Sequence, residues 1–234
     1  MASLAYTPLE KLTIRRPVDR LAFLREACRG KRVLDLGCYD ETSLVKEGTS
    51  HWLHGEIGRV AASVLGVDSA DALPAEGLVT GDNSRIVRGD VMRLDGVARP
   101  EDLDVIVAGE LLEHLPDALG FLSGLRRLFA GRELVLTTPN ATSLTNMLLG
   151  LTGRENNHPD HLQIYSLKTL NTLCRRAGYG DWEIRPYYMT YAEMILRSGP
   201  AAKVAVRAAQ ATVNAGEALF PLLAGGLILH VRRI

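Results

Sequence analysis

Short apolar segments alternate with stretches of helical periodicity along most of the chain, and this alternation is the feature that most restricts its fold. The apolar segments end in polar turns, whereas the stretches between them repeat apolar residues every three or four positions. Such a pattern is typical of β-α-β units, in which parallel strands are joined by helices. We predict seven strands, at residues 32–36, 64–68, 85–88, 103–108, 133–138, 182–189 and 227–231.

The predicted architecture is a single α/β domain over residues 1–234, with a doubly wound, mostly parallel, seven-stranded sheet. The first five strands each lead into a helix, and the last two are expected to close the sheet as an antiparallel edge pair. Residues 1–30 are predicted to form an N-terminal helical segment, and Ser166 and Gly178 to begin and end a later helix. Residues 141–165 and 190–222 are predicted to be insertions or lids on the substrate side.

Charge and cysteine content exclude several classes of protein. Lysine plus arginine and aspartate plus glutamate both number 27, so the chain lacks the basic surplus of a dedicated nucleic-acid binder. Its three cysteines are far apart, which argues against a disulfide framework or a zinc knuckle. We find no apolar signal stretch, and the longest apolar run, at 218–229, is too short to span a bilayer. A cytoplasmic location without a transmembrane segment is the expectation.

Acidic or small residues follow each of the first three predicted strands. Asp35 and Gly37 end the first strand, Asp68 ends the second, and Asp90-Val91 follows the third. A glycine lets a ligand approach the backbone closely, and an acid after the second strand can accept the two hydroxyls of a ribose. Because the carboxyl ends of parallel strands share one edge of the sheet, these residues together predict a site for a nucleoside-containing cofactor.

The loop after the first strand distinguishes two such cofactors. A nicotinamide dinucleotide needs G-x-G-x-x-G there, so that a helix N-terminus can bind the pyrophosphate. This chain has only Gly37, and Tyr39 and Asp40 would crowd and repel a diphosphate. S-adenosylmethionine carries a sulfonium, an ammonium, a ribose and an adenine but no phosphate, and therefore suits a turn that contains carboxylates.

The series VLDLGC, VLGVDSA, RGDV, LDVIVAGELLEHLPD and LVLTTPN resembles class I SAM-dependent methyltransferases, which have a Rossmann-like fold. The resemblance extends from about Val33 to Asn140. One departure is that Tyr39 and Glu41 replace the second and third glycines of the family's G-x-G-x-G loop. The resemblance implies S-adenosyl-L-methionine as cofactor, with its binding residues at Asp35, Gly37, Cys38, Tyr39, Asp68, Ser69, Asp90, Val91, Gly109 and Glu110.

The segment after the fourth predicted strand carries candidate metal ligands. Glu110, Glu113 and His114 have the i, i+3, i+4 spacing that places side chains on one face of a helical turn, and His158 and His161 follow in a later loop. Carboxylates and imidazoles with open positions suit a divalent cation such as Mg²⁺, Mn²⁺, Co²⁺ or Fe²⁺.

This pattern resembles both the ubiquinone-biosynthesis O-methyltransferases and the small-RNA 2′-O-methyltransferases. The resemblance implies metal ligation by Glu110, Glu113, His114 and His161. His158, His161 and His114 are the candidate catalytic residues, with His158 as a spare ligand or base. A metal-free site with a histidine base and a purely structural role for the motif remain alternatives.

Other residues allow more than one interpretation. Trp52 and His54 suit packing, with pocket lining as the alternative, and the tyrosines at 187, 188 and 191 suit packing or stacking on a substrate ring. The Ala-rich segment 200–221 could be a lid, a homodimer face or a membrane-surface helix. A buried helix under the sheet is the favoured interpretation.

Together these observations predict an O-methyltransferase that methylates a hydroxyl of a small molecule, either a sugar or other vicinal diol or a catechol-like ring. Methylation at nitrogen or carbon, methylation of RNA, and a non-catalytic SAM-binding subunit are the alternatives. Zero net charge argues against an RNA substrate.

Overall fold

The structure is a computed structural model that describes residues 11–39, 49 and 51–234. Asp40 and Glu41, which entered the prediction about the first loop, lie outside the described residues. All other predicted site residues lie within them.

One eight-stranded sheet runs through the described part of the chain, in the order β3-β4-β2-β1-β5-β6-β8-β7. Strands β4, β2, β1, β5 and β6 are parallel, whereas β3, β8 and β7 pair antiparallel with their neighbours. The α/β class and the antiparallel closing strands are therefore confirmed. The strands are β1 (Arg32–Leu36), β2 (Ser63–Asp68), β3 (Leu78–Gly81), β4 (Ser84–Arg88), β5 (Val105–Gly109), β6 (Glu133–Pro139), β7 (Trp182–Tyr187) and β8 (Gly226–Val231).

Helices cover both faces of the central parallel strands, and for this reason those strands are almost continuously apolar. In β1, Leu34 and Leu36 pack on the face covered by α3 and α5, while Val33 packs on the face covered by α1 and α2. The helices are α1 (Arg20–Cys28), α2 (Leu53–Gly58), α3 (Ala118–Leu128), α4 (Leu144–Gly150), α5 (Leu167–Arg176), α6 (Ala192–Arg197) and α7 (Pro200–Leu219). Short 3₁₀ turns occupy Pro100–Asp102, Leu112–His114 and Pro221–Leu223.

Helix α5 begins and ends as its sequence predicts. The Ser166 hydroxyl accepts a hydrogen bond from the main-chain N of Thr169, and the Thr169 side chain accepts one from the main-chain N of Ser166. This reciprocal pair is a capping box. Gly178 follows the helix with φ of +81°, a left-handed conformation that glycine adopts at little cost.

Strand β3 was missed in the sequence, which led to a count of seven strands. It forms a hairpin with β4, with Gly81 opposite Ser84 and only Asp82 and Asn83 between them. The two-residue Asp-Asn connection is the available hairpin signal. Strand β3 is short and at the sheet edge, and Val79 is 79% exposed, so it has no buried apolar run.

Helix α7 lies on the surface, so the prediction of a buried helix under the sheet is wrong. Val204 and Leu219 are 69% and 75% exposed, respectively. Polar contacts hold the helix instead: Gln210 Oε1 accepts from the main-chain N of Tyr191, and Glu217 Oε2 from that of Met189. None of the helices in the described residues has the length and apolar character needed to cross a membrane.

The contact between Arg32 and Asp104 generates a test of this fold. One Asp104 oxygen accepts from the main-chain N of Arg32 at 2.9 Å and from its Nε at 3.1 Å, and the other lies 2.9 Å from Arg32 Nη2. These bonds, which join the start of β1 to the residue before β5, lower the pKa of Asp104 to about 2. The stabilisation is therefore present above the carboxyl's unfolded pKa of about 3.9 and is lost as the pH falls towards 2.

We expect Asp104→Asn to lower the melting temperature near neutral pH, with a difference from wild type that shrinks as the pH falls from about 5 to about 3. Thermal denaturation at a series of pH values measures this difference. Glu101→Gln, at an exposed carboxylate 3.8 Å from Arg99, is the matched control and should have little effect at any of these pH values. A deficit for Asp104→Asn that is independent of pH contradicts the assignment.

Candidate active site

A crevice of about 760 Å³ opens at the carboxyl edge of the sheet. It lies where the strand order reverses, between β1 and β5, because the chain proceeds outwards in opposite directions from these two neighbours. Ligands of doubly wound sheets bind at such a switch point. The ends of β1, β2 and β5 line one part of the crevice, and the loop containing His158 and His161 lines another.

Asp68 joins the loops that follow β1 and β2. Its Oδ2 accepts a hydrogen bond from the main-chain N of Tyr39, and its Oδ1 accepts one from that of Ala70, both at 2.9 Å. Burial raises the pKa of Asp68, and the main-chain N–H groups of Tyr39, Ala70 and Ser69 oppose that rise. Each carboxylate oxygen has two lone pairs, so each can still accept one further hydroxyl. The predicted ribose acceptor therefore lines the crevice with acceptor capacity to spare.

Gly37 allows the first loop to turn at the crevice wall. Its φ is +67°, and a Cβ there would lie 2.7 Å from Leu111 Cδ1. Trp52 adds a second restraint, since its indole N donates to the main-chain oxygen of Cys38 at 3.3 Å. Cys38 and Tyr39 both line the crevice, as predicted. Two hydrogen bonds, from Tyr39 N to Asp68 and from the Trp52 indole to Cys38 O, therefore restrain the loop after β1, which lacks the family's glycine-rich sequence.

Asp35 lines the crevice but is only 1% exposed, because it faces a buried histidine. Its Oδ2 lies 2.9 Å from His54 Nδ1, and His54 Nε2 lies 2.9 Å from Thr80 Oγ1. His54 and Trp52 are both buried and both line the crevice. Packing and pocket lining, the two interpretations of these residues, therefore both apply. The described side-chain partner of the Asp35 carboxylate is thus an imidazole beneath the crevice.

The remaining predicted cofactor residues divide into two groups. Ser69 and Gly109 line the crevice, beside Asp68 and Glu110. Asp90 and Val91 are not among its described lining residues. Asp90 Oδ1 accepts from the main-chain N of Met92 at 2.8 Å, and Val91 packs against the main core. Contact between these two residues and an adenine stays a prediction.

The expected helical turn carrying Glu110, Glu113 and His114 on one face does not form, so that prediction needs correction. Glu110 has φ of +55°, and only residues 112–114 form a 3₁₀ turn. The left-handed residue redirects the chain, and the Glu110 carboxylate faces Tyr187, whose hydroxyl donates to Oε1 at 2.8 Å. Glu110 therefore lies outside the close group of ligand atoms that Glu113, His114 and His161 form.

Glu113, His114 and His161 come together instead, with one ligand atom from each within 4.8 Å of the others. Glu113 Oε2 accepts from the Thr138 hydroxyl, whereas buried Oε1 has no partner among the described residues. His161 Nδ1 is likewise buried and unpartnered there. Burial, followed by the charge of Glu110, raises the pKa of Glu113 to about 8. The main-chain N of Leu162 donates a hydrogen bond to the main-chain oxygen of Glu113, and this bond holds the loop carrying His161 beside Glu113.

Three imidazole rings meet beside this group. The ring centroid of His114 lies 4.6 Å from that of His161 and 5.9 Å from that of His158. Burial and the neighbouring His114 lower the pKa of His161. The distant His158 and His161 therefore come together with His114 at the crevice, as the sequence predicted.

Two site residues were missed in the sequence. Arg20, on α1, lines the crevice, and its Nε donates to the Thr137 hydroxyl at 3.1 Å. Tyr187, on β7, was noted only for packing or stacking, but its hydroxyl is bonded to Glu110. Gly226 makes room for this tyrosine, since a Cβ there would lie 2.0 Å from the ring. No local motif could have identified either contact, because each joins residues far apart in the chain.

Comparison with known proteins gives a consistent result. Residues 9–184 match a family model described as a methyltransferase domain. The ubiquinone biosynthesis O-methyltransferase of Hahella chejuensis is 30% identical over 143 residues, which cover 58% of this chain and 55% of that protein. The chain thus matches about half the length of this curated relative.

Solved structures share the fold. A SAM-dependent methyltransferase from Archaeoglobus fulgidus aligns over 91% of this chain and 92% of its own, with a TM-score of 0.53 and 20% identity. Phosphoethanolamine N-methyltransferase 2 of Haemonchus contortus, in complex with S-adenosylhomocysteine, aligns over 91% of this chain and 52% of its own, with a TM-score of 0.53 and 13% identity.

The contact between Gly37 and Leu111 can be tested with a matched pair of variants. Gly37 and Gly30 both have positive φ, but a Cβ at Gly30 would meet nothing within 4 Å. We expect both Gly30→Ala and Gly37→Ala to lose roughly 1–2 kcal/mol from the strained backbone. Gly37→Ala should lose about 1–3 kcal/mol more from overpacking against Leu111. Denaturant unfolding of the two variants measures the difference, and equal losses would contradict the proposed contact.

Proposed function

We propose that this chain, which belongs to the SAM-dependent methyltransferase family, transfers a methyl group to a hydroxyl of a small molecule. One observation supports this most strongly. The crevice at the switch point combines a carboxylate, Asp68, with a cluster of histidines that can receive a hydroxyl proton. The first element serves the cofactor, and the second serves the acceptor.

The cofactor part of the crevice is acidic. S-adenosylmethionine, when bound, supplies a methyl group on a positively charged sulfur. Asp68 would accept hydrogen bonds from the ribose hydroxyls, and Gly37 and Gly109 would let the ligand approach the ends of β1 and β5. Carboxylates here favour a cation and oppose a diphosphate, which is the physical reason for preferring this cofactor to a nicotinamide dinucleotide.

Imidazoles define the acceptor part. His158 is about half exposed in its side chain and lies next to His114 and His161, so an acceptor hydroxyl can reach it from solvent. A neutral imidazole can accept the hydroxyl proton as the oxygen attacks, a contribution of about 10²–10⁴-fold in rate. His158 and Asp160 belong to the 141–165 segment, which supports its proposed role on the substrate side.

The residues around Glu113 also fit a divalent cation. Two buried ligand atoms, Glu113 Oε1 and His161 Nδ1, have no partner among the described residues, and His114 completes the group. We propose that these three residues hold such an ion. Because two of the three ligands are imidazoles, the group suits Mn²⁺, Fe²⁺ or Co²⁺ better than Mg²⁺. When bound, such an ion lowers the pKa of an oxygen that it coordinates.

The proposed acceptor class is supported by polar side chains in the lining of the crevice. His158, Asp160 and Glu193 favour an acceptor with several hydroxyls, such as a sugar or other vicinal diol. A catechol-like ring is the second candidate, favoured by the similarity to the ubiquinone biosynthesis O-methyltransferase of Hahella chejuensis.

Asp68→Asn tests the cofactor part. Hydrogen bonds to a charged group are worth about 1.5–3 kcal/mol, so losing the carboxylate should weaken S-adenosylmethionine binding by about tenfold or more. Asp95→Asn, at an exposed carboxylate 3.6 Å from Arg127, is the control and should bind like wild type. Equilibrium binding measures both variants, with melting curves to check the fold. Unchanged affinity in Asp68→Asn would argue against its role at the ribose.

Methyl transfer from labelled S-adenosylmethionine to sugars, polyols and catechols tests the activity and the metal together. We expect transfer that a chelator abolishes and Mn²⁺ or Co²⁺ restores. Glu113→Gln should lower metal affinity by about tenfold or more and reduce transfer in parallel. Glu155→Gln, at an exposed carboxylate in the 141–165 segment, is the control.

The other outcomes of this assay are equally informative. Transfer that resists chelation contradicts the metal and leaves the histidine base as the mechanism. Labelling of RNA but of none of the small molecules contradicts the acceptor class. Cofactor binding without transfer to any acceptor contradicts the enzyme and favours a binding subunit.

A further inference from the structure

The lining of the crevice carries a further group of metal-ligating side chains, none of which belongs to the group around Glu113. Among the residues that the structure describes, Asp35, Cys38 and His54 each offer one ligand atom within 4.8 Å of the others. All three line the crevice, where Asp35 and His54 are buried and Cys38 is partly exposed. A buried carboxylate and a buried imidazole thus meet a thiol that is accessible from the crevice.

A glycine makes room for this convergence. Gly66, on β2, pairs in register with Asp35 on β1. A Cβ at Gly66 would lie 2.6 Å from Cys38 Sγ and 3.0 Å from His54 Cε1. The sulfur and the imidazole therefore both lie close to the space that this glycine leaves, beside the Asp35 carboxylate.

The hydrogen bonds of His54 leave one of its ring nitrogens available as a ligand. The Thr80 hydroxyl donates to Ser84 Oγ at 2.9 Å, so the Thr80 oxygen accepts from His54 Nε2, which is 2.9 Å away. In a neutral ring, Nδ1 then carries a lone pair. This nitrogen lies 2.9 Å from Asp35 Oδ2, and lone pairs so close together need a proton or a metal cation between them. An imidazole whose other nitrogen is fixed by an acceptor is the usual arrangement at protein metal sites.

The donor atoms select the class of ion. A thiolate and an imidazole favour Zn²⁺, whereas Mg²⁺ and Ca²⁺ prefer oxygen ligands. Three protein ligands leave a fourth position of zinc open, and this position is available to the crevice that all three residues line. The group around Glu113 differs, because it contains no sulfur.

We infer that Asp35, Cys38 and His54 bind Zn²⁺, and that this ion and S-adenosylmethionine exclude each other. The exclusion rests on the proposed function, which places the cofactor in this part of the crevice. The cofactor carries a positive sulfur, and a dication on Asp35 cancels the negative charge that favours such a ligand. Zinc at this site is thus an inhibitor, whereas an ion at the group around Glu113 serves methyl transfer.

Ultraviolet spectra with Cd²⁺, a substitute for Zn²⁺ that prefers sulfur, test the site without any cofactor. Cadmium on a thiolate gives a sulfur-to-metal charge-transfer band, whereas cadmium at the group around Glu113 does not. We expect the band in wild type and its absence in Cys38→Ala, and added Zn²⁺ should remove it from wild type. Cys174→Ala is the matched control and should keep the band, because Cys174 is buried in the main core. A phosphine reductant replaces thiols, which would themselves bind the ion.

Two further variants test the ligand assignment, with melting curves to check the fold. Thr80→Val removes the acceptor that orients His54, and it should weaken cadmium binding by about tenfold or more while the band remains at saturation. Glu113→Gln should leave both the band and its affinity unchanged. Wild-type affinity in Thr80→Val contradicts the role of His54, and loss of the band in Glu113→Gln contradicts a separate site.

Calorimetric titration of S-adenosylmethionine with and without saturating Zn²⁺ tests the exclusion. We expect zinc to weaken cofactor binding by about tenfold or more in wild type and in Cys174→Ala, which is within the usual range of coupling between two ligands. In Cys38→Ala, zinc should change cofactor binding by less than about twofold.

The two parts of the inference fail separately. A missing band in wild type, or a band that persists in Cys38→Ala, overturns the zinc site. Cofactor affinity that zinc leaves unchanged, or weakens equally in Cys38→Ala, overturns the exclusion. If S-adenosylmethionine does not bind even without zinc, the proposed function fails and the exclusion fails with it, while the cadmium spectrum still decides the zinc site.

Discussion

The negative charge at one edge of the sheet is the constraint on which the site depends. Asp35, Asp68 and Glu110 all line the crevice, and burial makes every such carboxylate costly unless a donor or a cation compensates it. The protein supplies local partners: an imidazole for Asp35, two main-chain amides for Asp68, and a tyrosine hydroxyl and a guanidinium for Glu110. Because these carboxylates remain in the lining of the crevice, the crevice favours a cationic ligand over an anionic one.

The two ends of the crevice are built from different kinds of structure. Near Asp68, Gly37 and Glu110, rigid strand ends present fixed charges and exposed backbone, which suits recognition of a ligand of constant structure. The histidines belong partly to the segment between β6 and α5, which is tied to the Leu112–His114 turn by main-chain bonds to Glu113. In the proposed function, the acceptor contacts lie on this loop, which can vary without disturbing the sheet.

Much of the fold and part of the site can be predicted from the sequence. The buried strands, the cap at Ser166 and the acid at Asp68 follow from local patterns, because each depends on neighbouring residues or on the shared edge of parallel strands. Strand β3 is not predicted, because an exposed edge strand has no buried apolar run. The side-chain direction of Glu110 is not predicted for another reason. It is set by Tyr187, 77 positions away, and by a left-handed backbone that helical spacing does not anticipate. The position of Arg20 likewise depends on a contact with Thr137, 117 positions away.

The central claim is that a sulfonium nucleoside, rather than a dinucleotide, occupies the crevice. Calorimetric titration of the wild-type protein with S-adenosylmethionine and, separately, with NAD⁺ tests it most directly. We predict saturable binding of S-adenosylmethionine with one site per chain, and no heat of binding for NAD⁺. Saturable binding of NAD⁺ without any response to S-adenosylmethionine would contradict the account.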